Sequence, residues 1–95
     1  MTNHNFTLKE AIDAMLERSN MREQFDEVKL VGGWENLMGK TISRFTKKIY
    51  VNKKVLYLSV DSASMKQELL YNKAKMIQMV NDFVREGYIA DIVIW

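Results

Sequence analysis

The first third of the chain carries apolar residues at helical spacing. Thr7 and Glu10 fit a capping box, in which a hydroxyl and a carboxylate satisfy free amides at a helix start. The apolar face that follows comprises Leu8, Ala11, Ile12, Met15 and Leu16. A second stretch continues at spacings of three and four, through Met21, Phe25, Val28, Val31, Trp34 and Met38. This pattern predicts two helices, and Gly39 is a typical C-terminal cap for the second.

Two adjacent glycines lie inside the second predicted helix. Gly32 and Gly33 together destabilise a helix by about 2 kcal/mol relative to alanines. We therefore expect a bend at this point, or a close approach by another backbone.

The pattern becomes strand-like from about Arg44. Residues 44–51 are rich in β-branched and aromatic side chains, which favours a strand. Residues 55–61 alternate, with Leu56, Leu58 and Val60 on one face. Between the two strands, Asn52-Lys53 suits a tight hairpin turn, because asparagine tolerates positive φ.

A long helix and a third strand complete the chain. Ser62 is a candidate cap for a helix that reaches about Arg85, with Gly87 ending it. Some 23 residues span about 35 Å in a helix, whereas a seven-residue strand covers about 23 Å. This helix must therefore bend or overhang the sheet. Residues 88–95 form the third strand, with its apolar face at Tyr88, Ala90, Ile92 and Ile94.

The predicted order of elements is α-α-β-β-α-β. It indicates one small α+β domain, with a three-stranded sheet and helices packed on one face. We assign this domain to residues 7–95, behind a flexible N-terminus of residues 1–6. The pattern leaves open whether the third strand lies beside the first or the second.

Composition excludes several classes of function. The 95-residue chain has no cysteine, which rules out disulfides and thiolate metal sites, and its one histidine, His4, lies in the polar N-terminus. No pair of carboxylates and no activated nucleophile is placed for catalysis. We expect no enzymatic activity, no cofactor and no small-molecule substrate. Without a signal peptide or a long apolar run, we expect a cytoplasmic protein with no membrane partner.

One short motif raises the question of nucleotide binding. Gly39-Lys40-Thr41 matches the end of a phosphate-binding loop, G-x-x-x-x-G-K-[ST]. That motif requires its first glycine at position 34, which is Trp34. A tryptophan there does not provide the open backbone that cradles phosphate, so we regard the match as chance.

Charge is distributed unevenly along the chain. Residues 1–35 carry four basic and seven acidic side chains, a net charge of −3, whereas residues 36–95 carry ten basic and five acidic ones, a net charge of +5. Between Asn36 and Val60 there is no acid. The six cations of this stretch, which we call the basic block, are Lys40, Arg44, Lys47, Lys48, Lys53 and Lys54. Lys66 and Lys73 are candidates to extend it, with Lys75 as a further one, although Glu68 and Asp82 interrupt the extension.

The basic block has two interpretations. Lysines on an edge strand discourage aggregation between sheets. Alternatively, lysine and arginine form a track that binds the nucleic-acid backbone. Phe45, Tyr50 and Tyr57 interleave with the block, and each either fills the core or stacks on bases. Tyr57 is the best stacking candidate, because its face opposes the apolar one, whereas Trp34 is predicted to anchor the core.

Several segments together resemble the DciA-like family. Residues 34–42, WENLMGKTI, resemble its W-x-x-hydrophobic-hydrophobic-G-x-x-hydrophobic signature. Residues 55–62 resemble its second strand and helix start, and residues 89–94 its closing strand. Glu68-Leu69 and Asn81 fall where the family's helix carries Glu-Leu and a later Asn. The ordered set spans residues 34–94, which makes the resemblance fairly specific.

The resemblance implies a K-homology-like fold and a role in bacterial chromosome replication. It implies DNA binding and assistance in loading the DnaB-type replicative helicase. An older view of the family implies RNA binding, sometimes with a zinc ribbon. The absence of cysteine excludes a zinc ribbon in this chain. The sequence lacks the G-x-x-G loop by which K-homology domains clamp single strands. We expect the chain to act as the bare domain, without a long disordered extension.

Two functions follow as expectations. The first is a nucleic-acid-binding accessory protein of replication, whose partners are the replicative helicase and single-stranded or duplex DNA, or RNA. Its binding residues would be Lys40, Arg44, Lys47, Lys48, Lys53, Lys54, Lys66 and Lys73. The alternative is a protein-interaction module that binds the helicase without touching nucleic acid. It would use the overhanging end of the long helix and the acids of the first helix, Glu10, Asp13 and Glu17.

Overall fold

A computed structural model describes the backbone of residues 7–19 and 21–95 and the side chains of residues 7–15 and 21–95. The predicted flexible segment 1–6, with His4, and the side chain of Glu17 lie outside the described residues. The elements in chain order are α1 (Leu8–Ser19), α2 (Arg22–Met38), α3 (Lys40–Phe45), β1 (Thr46–Asn52), β2 (Val55–Val60), α4 (Ala63–Tyr71), α5 (Lys73–Phe83) and β3 (Asp91–Ile94).

The sheet confirms the predicted α+β fold and settles its strand order. The order is β1-β2-β3, with β1 and β2 antiparallel and β3 parallel to β2. Alternation places one side of all three strands toward the helices. That inner face comprises Ile49, Val51, Leu56, Leu58, Ile92 and Ile94. Buried side chains from α2, α4 and α5 complete the core, namely Leu30, Trp34, Leu69, Met76 and Val80.

The caps predicted at Thr7 and at Ser62 both form. The Thr7 hydroxyl accepts a hydrogen bond from the Glu10 amide at 3.1 Å, and Glu10 Oε1 accepts one from the Thr7 amide at 3.4 Å. At the start of α4, the Ser62 hydroxyl accepts from the Met65 amide at 3.2 Å. The starts of α1 and α4 therefore follow from local sequence.

The first strand begins later than predicted, because residues 40–45 form α3. Gly39 adopts φ +96°, a conformation that favours glycine, and it ends α2 so that α3 starts at once. The Thr46 hydroxyl donates to the Ile42 carbonyl at 2.7 Å and accepts from Trp34 Nε1 at 3.1 Å. These bonds fix the junction of α3 with β1 against α2. The prediction that Arg44 and Phe45 lie in a strand was wrong.

The long predicted helix is broken into two helices, α4 and α5. It is divided at Asn72, whose backbone amide donates to the Leu69 carbonyl at 3.1 Å and whose side chain donates to the Glu68 carbonyl at 2.9 Å. The second half ends at Phe83, before the predicted Arg85. Gly87 lies beyond that end, in the turn that follows, with φ +73°.

The third strand is shorter than predicted, because residues 84–90 fold back along α5. The Asn81 amide group donates to the Ile89 carbonyl at 3.0 Å and accepts from the Ile89 backbone amide at 2.8 Å. This paired bond holds Tyr88 and Ile89 in the core without strand pairing, while Ala90 is exposed. Strand pairing begins only at Asp91.

The buried face of α2 also differs from the predicted one. Leu30 and Trp34 are buried, whereas Phe25, Val28 and Val31 are 45–71% exposed. The close approach expected at the glycine pair is made by a side chain. A Cβ atom on Gly33 would lie 2.4 Å from Cζ of Phe83 in α5, whereas one on Gly32 would meet nothing within 4 Å.

Candidate nucleic-acid interface

The tip of the hairpin presents two adjacent lysines. Because Asn52 pairs directly with Val55, the turn consists of Lys53 and Lys54, one residue later than the Asn52-Lys53 turn predicted. Both residues have positive φ, 49° and 64°, as a type I′ turn requires. Left-handed backbone is unfavourable for residues with a Cβ. The turn therefore keeps two exposed cations where asparagine and glycine would be more stable.

The hairpin tip is held from the β3 side. The Ala90 backbone amide donates to the Lys54 carbonyl at 2.7 Å, which ties the turn to the residue preceding β3. The other side of β1 is an edge, and there Glu27 Oε2 of α2 accepts from the Val51 amide at 2.9 Å. These two contacts fix the orientation of the turn relative to the rest of the sheet.

The remaining cations of the basic block precede the hairpin. Lys40 and Arg44 are exposed on α3, which leads directly into β1, where Lys47 and Lys48 are exposed. A bulge between Thr46 and Lys48 inserts Lys47 as an extra residue. The structure thus places the block along one continuous path, from α3 through β1 to the turn.

Ion pairing leaves most of this path uncompensated. Lys47 lies 3.4 Å from Asp61, with both side chains about 60% exposed, so the pair is weak. Within the part of the chain that the structure describes, no carboxylate lies within 4 Å of the other five cations.

The two cations predicted to extend the path lie on other elements. Lys66 is half-buried on α4, and Lys73 begins α5. Lys73 Nζ lies 2.8 Å from Asp91, and its hydrogen bond holds the pKa of that carboxyl below its ordinary value. The charge of Lys73 is therefore partly used within the fold.

The outer sheet face, opposite the helices, carries a cluster of three aromatic side chains. Tyr50 and Tyr57 are paired across β1 and β2, and their rings stack with centroids 4.9 Å apart and planes 10° apart. Trp95 meets both rings edge-on, at 6.2 and 6.3 Å. Tyr50 is 40% exposed and Trp95 is 45% exposed. We call Tyr50, Tyr57 and Trp95 the aromatic cluster.

Sequence reasoning found part of this cluster. Tyr57 was predicted to face away from the apolar side, and it does. Tyr50 follows from the same alternation across the hairpin. Trp95 could not be placed, because its position depends on the parallel pairing of β3 with β2: its amide donates to the Leu58 carbonyl at 2.9 Å and its carbonyl accepts from the Val60 amide at 2.7 Å.

An ion pair with one buried partner lies beside the hairpin. Asp26 of α2 is 2% exposed and accepts from Arg85 Nε at 2.7 Å, while the Arg85 guanidinium lies 5.6 Å from the centre of the Tyr88 ring. Burial, and then the charges of Asp26 and Glu27, raise the pKa of Tyr88 to about 12. A cavity of about 500 Å³ opens beside this group and is bounded by the hairpin tip. The 59-residue separation of Asp26 from Arg85 left no local signal in the sequence.

A second surface is apolar rather than basic. Met21, at the N-terminal cap of α2, and Phe25 and Val28 within it follow one another at helical spacing. They are 54%, 47% and 71% exposed. On the neighbouring α1, Glu10 and Asp13 belong to the acids predicted to contact a partner, but Asp13 is engaged by Lys9 at 3.1 Å and Arg22 at 3.2 Å. We call Met21, Phe25 and Val28 the apolar stripe.

The described part of the chain offers neither a metal site nor a membrane span. Among residues 7–19 and 21–95, no three His, Cys, Asp or Glu side chains converge as a metal site. No helix in these same ranges is both long and apolar enough to cross a bilayer.

Comparison with known proteins identifies one family. The family model described as Dna[CI] antecedent, DciA, matches residues 7–94, which is nearly the whole chain. No curated protein and no solved structure is significantly similar to the chain.

Proposed function

Because the chain belongs to the DciA family, an accessory family related to loading of the DnaB-type helicase, we propose that it binds DNA through its basic block while it serves the replicative helicase. The family supplies the accessory role in replication. The DNA contact is our proposal for this chain, and no catalytic step is required of it.

The observation that carries the proposal is the uncompensated path from α3 to the turn. Six cations follow one another with no acid among them, and five have no carboxylate within 4 Å among the described residues. Edge protection requires only one or two lysines on β1, and Glu27 already caps the Val51 amide on that edge. Binding should be directed at phosphates, so it should tolerate any sequence and weaken steeply as salt rises.

A titration tests the proposal directly. Labelled single-stranded and duplex DNA are titrated with the protein at two salt concentrations, and anisotropy reports binding. Changing Lys47, Lys48, Lys53 and Lys54 to Gln should weaken binding and leave the fold intact, because exposed substitutions usually cost under about 0.5 kcal/mol each. If the parent protein shows no binding at low salt, the proposal is wrong.

The apolar stripe favours a second candidate function, a module that docks on the helicase without DNA. A contiguous patch of exposed apolar residues is typical of a protein contact. Capture of purified helicase by the immobilised protein, with and without nuclease, separates the two functions. Capture that survives nuclease and disappears in a Phe25→Ser, Val28→Ser variant supports direct docking. Capture that requires DNA supports the first proposal.

A further inference from the structure

We propose that the aromatic cluster stacks unpaired bases of single-stranded DNA while lysines at both ends of β1 hold the phosphates. This inference rests on the proposed DNA-binding function and adds where the bases lie and which form of DNA is preferred. It assigns the outer sheet face, and not a loop between helices, as the surface that receives the strand.

The shape of the cluster suits flat ligands. Three rings lie on neighbouring strands, and two of them are 40–45% exposed. Tyr57 stacks against only one side of Tyr50. Because β1 is an edge strand, no further strand lies beyond Tyr50 on its other side. Aromatic rings on an open sheet face can stack bases of any identity, since every base has a π face.

The distribution of charge at the two ends of β1 favours a polyanion as the occupant. Lys48 pairs with Ser59 of β2. On the other side of β2, the backbone of Trp95 bonds to Leu58 and Val60, the two neighbours of Ser59. Lys48 and Trp95 therefore lie in one row across the sheet. Lys53 and Lys54 lie beyond the other end of β1, about 17 Å from Lys48 at about 3.4 Å per residue. The rings thus lie between two sets of cations.

The acids bordering this surface do not oppose an anionic ligand strongly. Asp61, just after β2, lies 3.4 Å from Lys47, and this weak pair offsets part of its charge. Asp91, at the start of β3, is held at 2.8 Å by Lys73. An apolar protein surface would leave the lysines at both ends without partners, whereas a nucleic-acid strand supplies a phosphate for each.

The same geometry favours single strands over duplex. Bases within a duplex are stacked on one another and cannot place their faces against a protein ring without being displaced, at a cost of a few kcal/mol. A single strand presents both its bases and its phosphates. Stacking is not an ionic contact, so removing it should lower affinity without changing the dependence of affinity on salt.

The test substitutes the rings and leaves the charges in place. Tyr50→Leu and Trp95→Leu keep apolar volume but remove stacking, whereas Tyr50→Phe keeps it. Tyr71→Leu is the matched control, because Tyr71 lies on α4 and is 82% exposed. Each protein is titrated with oligothymidine, with an abasic strand of the same length, and with duplex DNA, after thermal melting has confirmed its fold.

We expect each Leu variant at the cluster to bind oligothymidine about 5- to 150-fold more weakly, the range that stacking of one base supports. Its salt slope, its duplex binding and its binding to the abasic strand should match those of the parent. Tyr50→Phe and Tyr71→Leu should bind oligothymidine as the parent does.

Three outcomes would overturn the inference. If the Leu variants bind oligothymidine as the parent does, the cluster does not stack bases, although the basic block can still bind DNA. If they no longer capture the helicase but still bind DNA, the outer face docks protein. If the parent binds an RNA strand and no DNA, the assignment to DNA is wrong. Absence of all nucleic-acid binding by the parent at low salt would instead refute the proposed function itself.

Discussion

Lys53 and Lys54, at the hairpin tip, both have left-handed backbone conformations. We expect substitutions there to affect stability and DNA binding in opposite directions. In a type I′ turn the favoured pair is Asn-Gly. The left-handed conformation destabilises a residue that has a Cβ by about 1–2 kcal/mol. Replacing Lys53 by Asn and Lys54 by Gly should therefore stabilise the fold. The bond from the Ala90 amide to the carbonyl of residue 54 involves only backbone and should persist.

The expected gain in the free energy of unfolding follows from the backbone conformations of the two turn residues. Asparagine recovers only part of the cost and glycine most of it, so we expect a gain of about 1–2 kcal/mol in the free energy of unfolding. For a domain of this size, each kcal/mol corresponds to about 4–8 °C in Tm. The same change removes two cations from the proposed DNA path. On duplex DNA, the slope of log affinity against log salt should shrink by up to about 1.8, at about 0.9 for each phosphate that the protein no longer neutralises.

Thermal melting and DNA titration on the same samples measure both effects. Lys53→Gln, Lys54→Gln is the first control, because it removes the charges but keeps the strained backbone: binding should fall and Tm should stay. Lys29→Gln, Lys75→Gln is the second, because it removes the same charge away from the hairpin and should leave DNA binding nearly unchanged. An Asn-Gly variant that is no more stable than the parent would refute the strain argument. A variant that is more stable but binds DNA as well as the parent would mean that Lys53 and Lys54 do not contact DNA.

Further predictions concern the core. Gly33→Ala should destabilise the fold by about 1–3 kcal/mol through its clash with the Phe83 ring, whereas Gly32→Ala should stabilise it by about 1 kcal/mol; urea unfolding of the two variants checks the opposite signs. Trp34→Ala should lower the free energy of unfolding by about 3–5 kcal/mol, and circular dichroism should show an unfolded domain. A variant that stays folded and only fails to bind DNA would mean that Trp34 contacts DNA. Tyr88 has a raised folded-state pKa, so its contribution to stability is complete below pH 10 and declines toward pH 12 as the unfolded tyrosine ionises first. Comparison of Tm for Tyr88→Phe and the parent across that pH range should show a smaller loss in the variant.

Local sequence patterns predicted those parts of the fold that local interactions control. The caps at Thr7 and Ser62, the alternation of β2 and the burial of Trp34 depend on neighbours within a few residues or on one dominant apolar side chain. Alternation also placed Tyr57 on the outer face, which became the centre of the aromatic cluster.

Contacts between distant residues decided the rest. The apolar spacing of α2 fitted a buried face through Phe25 and Val28 as well as one through Leu30. The structure buries the face of Leu30, on which Asp26 pairs with Arg85. The end of α5 and the late start of β3 depend on the bond between Asn81 and Ile89. The contribution of Trp95 to the candidate site required the strand order, which no pattern within a single strand specifies.

If the basic block contacts DNA phosphates, its lysines must contribute to the salt dependence of single-stranded DNA binding. The measurement compares the slope of log affinity against log salt for the parent and for the variant with Gln at positions 47, 48, 53 and 54. We expect weaker binding by the variant and a slope smaller by up to about 2.8, at about 0.7 for each phosphate contact on a single strand. An equal slope and an equal affinity would contradict it, and would leave the lysines of the hairpin with edge protection as their only role.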